Sequence, residues 1–154
     1  KEYLTAKGIA FEEKTGTNTN EITSAVDALT AAKVDAIFTP TDNTVQSAEL
    51  AIFEKLQDAN IPHYGGADSF ALNGAFCGYG VDYVQLGQET ARMVVDLLVE
   101  GADPASTPVR IMTAKTAVIN TDTCAAIGME LEQVKSAFSG LGITVIETTT
   151  QQEF

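Results

Sequence analysis

The sequence is short of positive charge. Nine Lys and Arg stand against 21 Asp and Glu, for a formal net charge of −12. Phosphate contacts need clustered Lys and Arg, so this balance argues against a nucleic-acid partner. An acidic surface otherwise mostly serves solubility. Histidine occurs once and cysteine twice, with no CxxC spacing, which argues against a zinc site or a dithiol redox motif. Cys77 and Cys124 by themselves settle neither pairing nor compartment. No run of about 18 apolar residues is present. The enzyme signatures GxSxG, GxxxxGK[ST] and a GxGxxG after the first strand are absent, and the "GYG" of "CGYGVD" is too short to count. What remains for catalysis is paired carboxylates, as general acid and base or as Mg²⁺ ligands. The expectation is therefore no enzyme, no metal and no cofactor.

What is present is enough for one domain with a sizeable core: 154 residues, 45% of them hydrophobic. The opening "KEYLTAKG" has no methionine, charged n-region or apolar h-region. Lys7–Gly8 reads as a helix stop with only seven residues before it, so the chain is expected to be a piece whose first helix begins upstream. "IAFEEKT" (9–15) then reads as a strand. Asn18 and Glu21 have capping-box spacing, with Ile22, Ala25, Val26, Leu29 and Ala32 on one helical face. "VDAIFTP" reads as a short strand covered on both faces. The next helix carries Val45, Ala48, Ile52, Leu56 and Ala59 on one stripe, where Glu49 intrudes and reads as a snorkelling side chain. "IPHYGG" and "GAFCGYG" are strands on either side of "ADSFALN", a loop or single helical turn. "YVQLGQETARMVVDLLVEG" is a helix closed by Gly101, and "ADPASTP" is a linker. "VRIMTAKTAVIN" reads as one or two strands, "TDTCAAIG" and "ELEQVKSAFSG" as short helices, and "ITVIETT" as a last strand. Strand–helix alternation of this kind predicts an α/β, doubly wound parallel sheet flanked by helices.

Ligands of such sheets bind beyond the carboxyl ends of the strands. Three successive strands end in loops of acidic and small residues: Thr39, Pro40, Thr41, Asp42, Asn43; then Gly65, Gly66, Ala67, Asp68, Ser69; then Gly80, Val81, Asp82, Tyr83. Parallel strands would place all three loops on one rim. Helix N-termini there carry N–H groups that favour an anion. Carboxylates beside helix-start donors suit a zwitterion, with its ammonium on an Asp and its carboxylate on N–H and hydroxyl groups. Tyr79, Tyr83 and Phe70 are near enough in sequence to form an apolar wall. Each residue also has a plainer reading. Asp42 or Asn43, Asp68 and Asp82 can be helix caps, Tyr79 and Phe70 core residues, and His63 a structural residue in its strand.

The stretches "VDAIFTPTDNTV", "IPHYGGADS", "GYGVDYVQLGQETARMVVDLLVEG" and "TAVINTDTCAAIGMEL" resemble the extracytoplasmic substrate-binding proteins of ABC transporters, in the branch of tryptophan- and tyrosine-type uptake systems. The resemblance runs from about Lys1 to about Phe138. It implies two α/β lobes closing on a small ligand, an amino acid and in this branch an aromatic one. It also implies a permease in the membrane as partner, and a periplasmic or lipid-anchored location. On this reading residues 1–82 are the main part of the second lobe of a type I periplasmic-binding fold. Residues 83–108 are a crossover helix and linker packing toward a first lobe, and 109–154 are the return strands and C-terminal helices. Thr39, Thr41, Asp42 and Asn43 match the cleft-edge motif, Asp68 and Ser69 the second loop, and Asp82 the third. "GGADSF" departs from the "SD" pattern of that second loop.

The 84–100 helix supports a missing partner independently of the resemblance. Val84, Gly87, Ala91, Val94, Val95 and Leu98 form one apolar band, and Leu86, Met93 and Leu97 a second. Together they cover roughly half the circumference, wider than the usual stripe of about 100°. Such a helix calls for partners on two sides, from a first lobe or another copy of the chain. A competing reading is the ligand-sensing domain of a transcription regulator, which would need a helix-turn-helix upstream. A hydrolase built on the carboxylates is the remaining alternative.

Overall fold

The structure, a computed structural model, describes residues 1–113 and 115–151. A single short helix, α1 (Glu2–Ala6), ends at Lys7, and Gly8 follows with φ +68°. Residues 9–15 form no strand, contrary to expectation. A strand needs a ladder and a covered face. Ile9 and Phe11 are both exposed, so nothing offsets the entropy of ordering this segment. Helix α2 (Thr19–Ala31) is capped by Asn18, whose side chain accepts the Glu21 N–H at 3.1 Å. Only half of the capping box forms. The Glu21 carboxylate turns instead to the N–H and hydroxyl of Thr17, both at 2.8 Å, and these bonds hold it below the usual carboxylate range.

Strand β1 (Ile37–Thr39) leads into α3 (Asn43–Asp58), β2 (His63–Gly65), α4 (Asp68–Leu72), β3 (Cys77–Val81) and α5 (Tyr83–Leu98). After residues 99–113 come β4 (Lys115–Asn120), α6 (Thr121–Ala126), α7 (Leu131–Gly140) and β5 (Thr144–Thr148). Of the expected "VRIMTAKTAVIN" strands only β4 forms; 109–113 is irregular and Ala114 lies outside the described residues. So do Gln152–Phe154, at the end of the expected 109–154 unit.

The five strands form one sheet in the order β1-β2-β3-β4-β5. β1–β2, β2–β3 and β4–β5 are parallel, as the alternation predicts. β3–β4 is antiparallel, with Val81 opposite Lys115. The chain that leaves β3 through α5 comes back at the same edge and so runs down the sheet the other way.

Two packed layers hold the sheet. On one face Ile22 and Val26 of α2 pack with Ala48, Ile52 and Leu56 of α3 against Ile37. Burying Ile52 or Leu56 contributes about 1.5–3 kcal/mol each. On the other face Cys77, Ala117 and Ile119 pack beneath Leu131, Val134 and Phe138 of α7. Register places Phe38 on this second face, yet it is 72% exposed. β1 is therefore covered on one face only, a correction to its expected double cover. α5 buries no residue, and Val84, Leu98 and Val99 are all exposed. Asn120, fully buried, knits the far edge. Its Oδ1 accepts the Thr123 N–H at 3.0 Å, and its Nδ2 donates to the Ala71 carbonyl at 2.8 Å and Thr150 Oγ1 at 2.9 Å.

Cys77 and Cys124 are both free thiols in the same buried cluster. Burial pushes the Cys77 thiol up to about 12. The stability this contributes is fully present below the unfolded thiol's value of about 8.5, and is lost as pH rises towards about 12. Iodoacetamide at pH 8 is expected to leave Cys77 unmodified in the native protein and to label it fully in urea. Native labelling at the urea rate, read by mass spectrometry, would contradict its burial.

Candidate functional site

Because β1, β2 and β3 are parallel and in register, their following loops share one edge. Glycines draw those loops together. A Cβ on Gly78 would stand 2.2 Å from the Ala67 carbonyl oxygen, one on Gly80 2.5 Å from the Gly66 oxygen, and one on Gly66 2.5 Å from the Thr41 nitrogen. The second loop thus lies backbone to backbone between the first loop and β3. The Thr41 hydroxyl donates to the Gly66 carbonyl at 2.9 Å and completes the stack. The structure shows what lies against each of these glycines.

The three aspartates are spread along this rim. Asp42 is the N-cap of α3, its Oδ1 accepting the N–H groups of Thr44 (2.8 Å) and Val45 (3.0 Å). Asp82 is the N-cap of α5, accepting the Gln85 N–H at 3.0 Å and Gln85 Nε2 at 3.1 Å. Asp68 is not a cap. Ala67 holds that position, and Asp68, first in α4, accepts the Ser69 N–H at 2.8 Å. The second carboxylate oxygens of Asp42 and Asp68 have no hydrogen-bond partner among the described residues. The helix-start donors expected to receive an anion are partly taken by these aspartates. Asn43 opens α3 and is exposed, while Ser69 is half-buried.

Of the three aromatics, Phe70 does not line the rim. It is fully buried, edge-on to the His63 ring with centroids 5.9 Å apart. Tyr79 and Tyr83 are exposed, and the Lys115 ammonium sits 5.6 Å from the Tyr79 ring centroid. Lys115 was missed in the sequence because only the antiparallel return of β4 brings it here.

Behind the rim lies a second unanticipated arrangement. Glu49 does not snorkel; it is 0% exposed, and His63 beside it is 2% exposed. Glu49 Oε1 meets His63 Nδ1 at 2.9 Å, and His63 Nε2 meets Thr39 Oγ1 at 2.8 Å. The half-buried Thr39 is the last residue of β1. Glu49 sits on the apolar stripe because the ring one strand away needs a partner. Its place among Ala48 and Ile52 was the available signal, and a lone polar residue there could be read either way. Among the described residues no group of His, Cys, Asp and Glu is arranged to hold a metal ion.

Residues 1–139 match the family model described as ABC transporter substrate binding protein, and the chain belongs to that family. It is 26% identical over 129 residues to a tyrosine-binding protein of Clostridioides difficile (strain R20291), covering 84% of this chain and 37% of that protein. It superposes with TM-score 0.73 on a ligand-free, open substrate-binding protein with adhesive properties from Clostridium difficile, at 28% identity over 96% of this chain and 48% of that one. It superposes equally, TM-score 0.73, on a Streptococcus pneumonia ABC domain in complex with L-Trp, at 32% identity over 94% of this chain and 48% of the other. The chain therefore spans less than half the length of these relatives.

Gly78→Ala is expected to destabilise the fold by about 1–3 kcal/mol, since the Ala67 carbonyl cannot move aside without breaking the stack. Gly87→Ala, which would meet nothing within 4 Å, serves as control. Equal urea midpoints for the two variants would remove the close-approach argument.

Proposed function

We propose that this chain supplies one wall of an amino-acid-binding cleft in the extracytoplasmic solute-binding component of an ABC importer. The ligand has an aromatic side chain, and a membrane permease receives it. No bond is made or broken; the rim serves capture alone. The observation that carries this reading is the rim itself. Two aspartates with an uncommitted carboxylate oxygen, the hydroxyls of Thr39 and Ser69, and the exposed ring of Tyr83 lie at one end of the parallel strands, with Tyr79 just below them on the opposite face of the sheet from Thr39. Those groups match an ammonium, a carboxylate and an aromatic ring in turn. A relative bearing the name tyrosine-binding protein and a structural neighbour solved with L-Trp support the ligand class.

In this reading Asp42 and Asp68 face the ammonium. Thr39, Asn43 and Ser69 contribute polar contacts, and Lys115 adds positive charge near the carboxylate. Thr41 and Asp82 hold the loops in place through the Gly66 carbonyl and the start of α5. The unburied faces of α5 and the bare Phe38 face of β1 are surfaces for the remainder of the binding protein, with 83–108 as the crossover toward a first lobe.

Asp42→Ala in the full-length protein is expected to weaken L-tyrosine or L-tryptophan binding by about 2–5 kcal/mol, the cost of unpairing a desolvated charge. Loss of a cap accounts for only about 1 kcal/mol of folding stability. Calorimetric titration with unchanged affinity would leave Asp42 as a cap only. Residues 1–154 alone are expected to bind these amino acids weakly, because clefts normally bury about 70–90% of a small ligand and one wall does not. Full affinity in the isolated chain would refute the two-walled cleft.

A further inference from the structure

We propose that Glu49 and His63 are positioning residues that make the Thr39 hydroxyl a hydrogen-bond donor at the rim, directed to the ligand's carboxylate. The inference rests on the amino-acid reading above and deepens it.

The argument begins with burial. Glu49 and His63 are both sealed from solvent and form no ion pair except with each other among the described residues. Glu49 Oε2 is buried with no hydrogen-bond partner. An uncompensated negative charge there would be costly, and an unfilled acceptor on the same group adds to the cost. A pair without net charge holds one proton between Glu49 Oε1 and His63 Nδ1. That proton can sit on either atom, as carboxylate with imidazolium or as carboxylic acid with neutral imidazole. In both arrangements Nε2 carries a hydrogen.

The consequence at Thr39 follows from the 2.8 Å contact. Nε2–H donates, Thr39 Oγ1 accepts, and the Thr39 O–H is left to turn outward as a donor. The opposite charge state, carboxylate beside a neutral ring protonated at Nδ1, would reverse this and make Thr39 an acceptor suited to the ammonium. The rim has a use for the donor. The Asp42 and Asp82 caps already occupy the N–H groups of Thr44, Val45 and Gln85, Asp68 occupies that of Ser69, and the Thr41 hydroxyl is spent on Gly66. Fewer backbone donors are left for a ligand carboxylate, which gives a side-chain donor at Thr39 more weight. Phe70 packs edge-on against the imidazole, with ring centroids 5.9 Å apart.

Two measurements on the full-length protein test this. The ¹⁵N imidazole signals that vanish in the variant His63→Gln are those of His63, whatever other histidines the full-length protein carries. A proton on Nε2 is expected; a neutral ring protonated on Nδ1 alone would overturn the proposal whatever the affinities. Thr39→Ser and Thr39→Val are then titrated with L-tryptophan and with tryptamine, which lacks the carboxylate. Thr39→Val is expected to lose about 10–100-fold in L-tryptophan affinity, as for a hydrogen bond to a charged group. Tryptamine binding should stay unchanged, and Thr39→Ser should recover most of the loss. Equal losses for both probes, or none for either, would overturn the donor role even with the ring protonated as expected. If wild-type protein binds neither L-tryptophan nor L-tyrosine, the amino-acid reading falls, and the purpose assigned to Thr39 falls with it.

Discussion

The rim depends on contact between bare backbones. At Gly78, Gly80 and Gly66 there is no room for a side chain, because carbonyl groups of the second loop and the amide of Thr41 occupy that space. This stacking fixes the height of the second loop on β3. α4 then begins directly above the sheet and turns Phe70 down onto His63. The position of the imidazole decides where Glu49 must stand on α3, and so what the stripe of that helix looks like. A methyl group at Gly78 would act well beyond its own van der Waals radius, because loop, helix and buried pair are seated in sequence on one another.

The rim and the layer beneath it divide the polar work. Asp42 and Asp82 spend one oxygen each on starting helices, which secures the loops and takes part of the donors an anion would otherwise find. The Glu49–His63 pair spends its polarity inward and delivers only one hydroxyl to the surface. Buried ion pairs are seldom strong contributors to stability, since desolvation offsets most of their attraction. That makes an orienting role a better account of this pair than a stabilising one.

Much of the fold was legible from periodicity. α2, α3 and α5 fall where their apolar stripes place them, α7 where a short helix was read, and β1, β2, β3 and β5 where short apolar runs meet turn residues. The Asn18 and Asp42 caps were readable because a cap is a local bond between a side chain and a nearby N–H. Non-local facts were not readable. The segment 9–15 has a strand's composition but finds neither ladder nor cover. Phe38 has a core residue's character and lies bare. Glu49 and Lys115 took their meaning from residues 14 and 36 positions away, His63 and Tyr79, which only the folded sheet brings near. Asp68, read as a ligand contact with a cap or turn as its plainer role, sits one residue inside its helix.

The antiparallel joint between β3 and β4 has a mechanical side. The excursion through α5 leaves the sheet after Val81 and re-enters at Lys115, and those two residues face each other across the ladder. Both of its roots are therefore planted in the same edge, next to Asp82 and Tyr79. A torque applied to α5 cannot be absorbed at a distant anchorage. It must pass through a pair of neighbouring strands whose ends border the rim, so that the helix and the loop 80–83 are hinged at one place on the sheet.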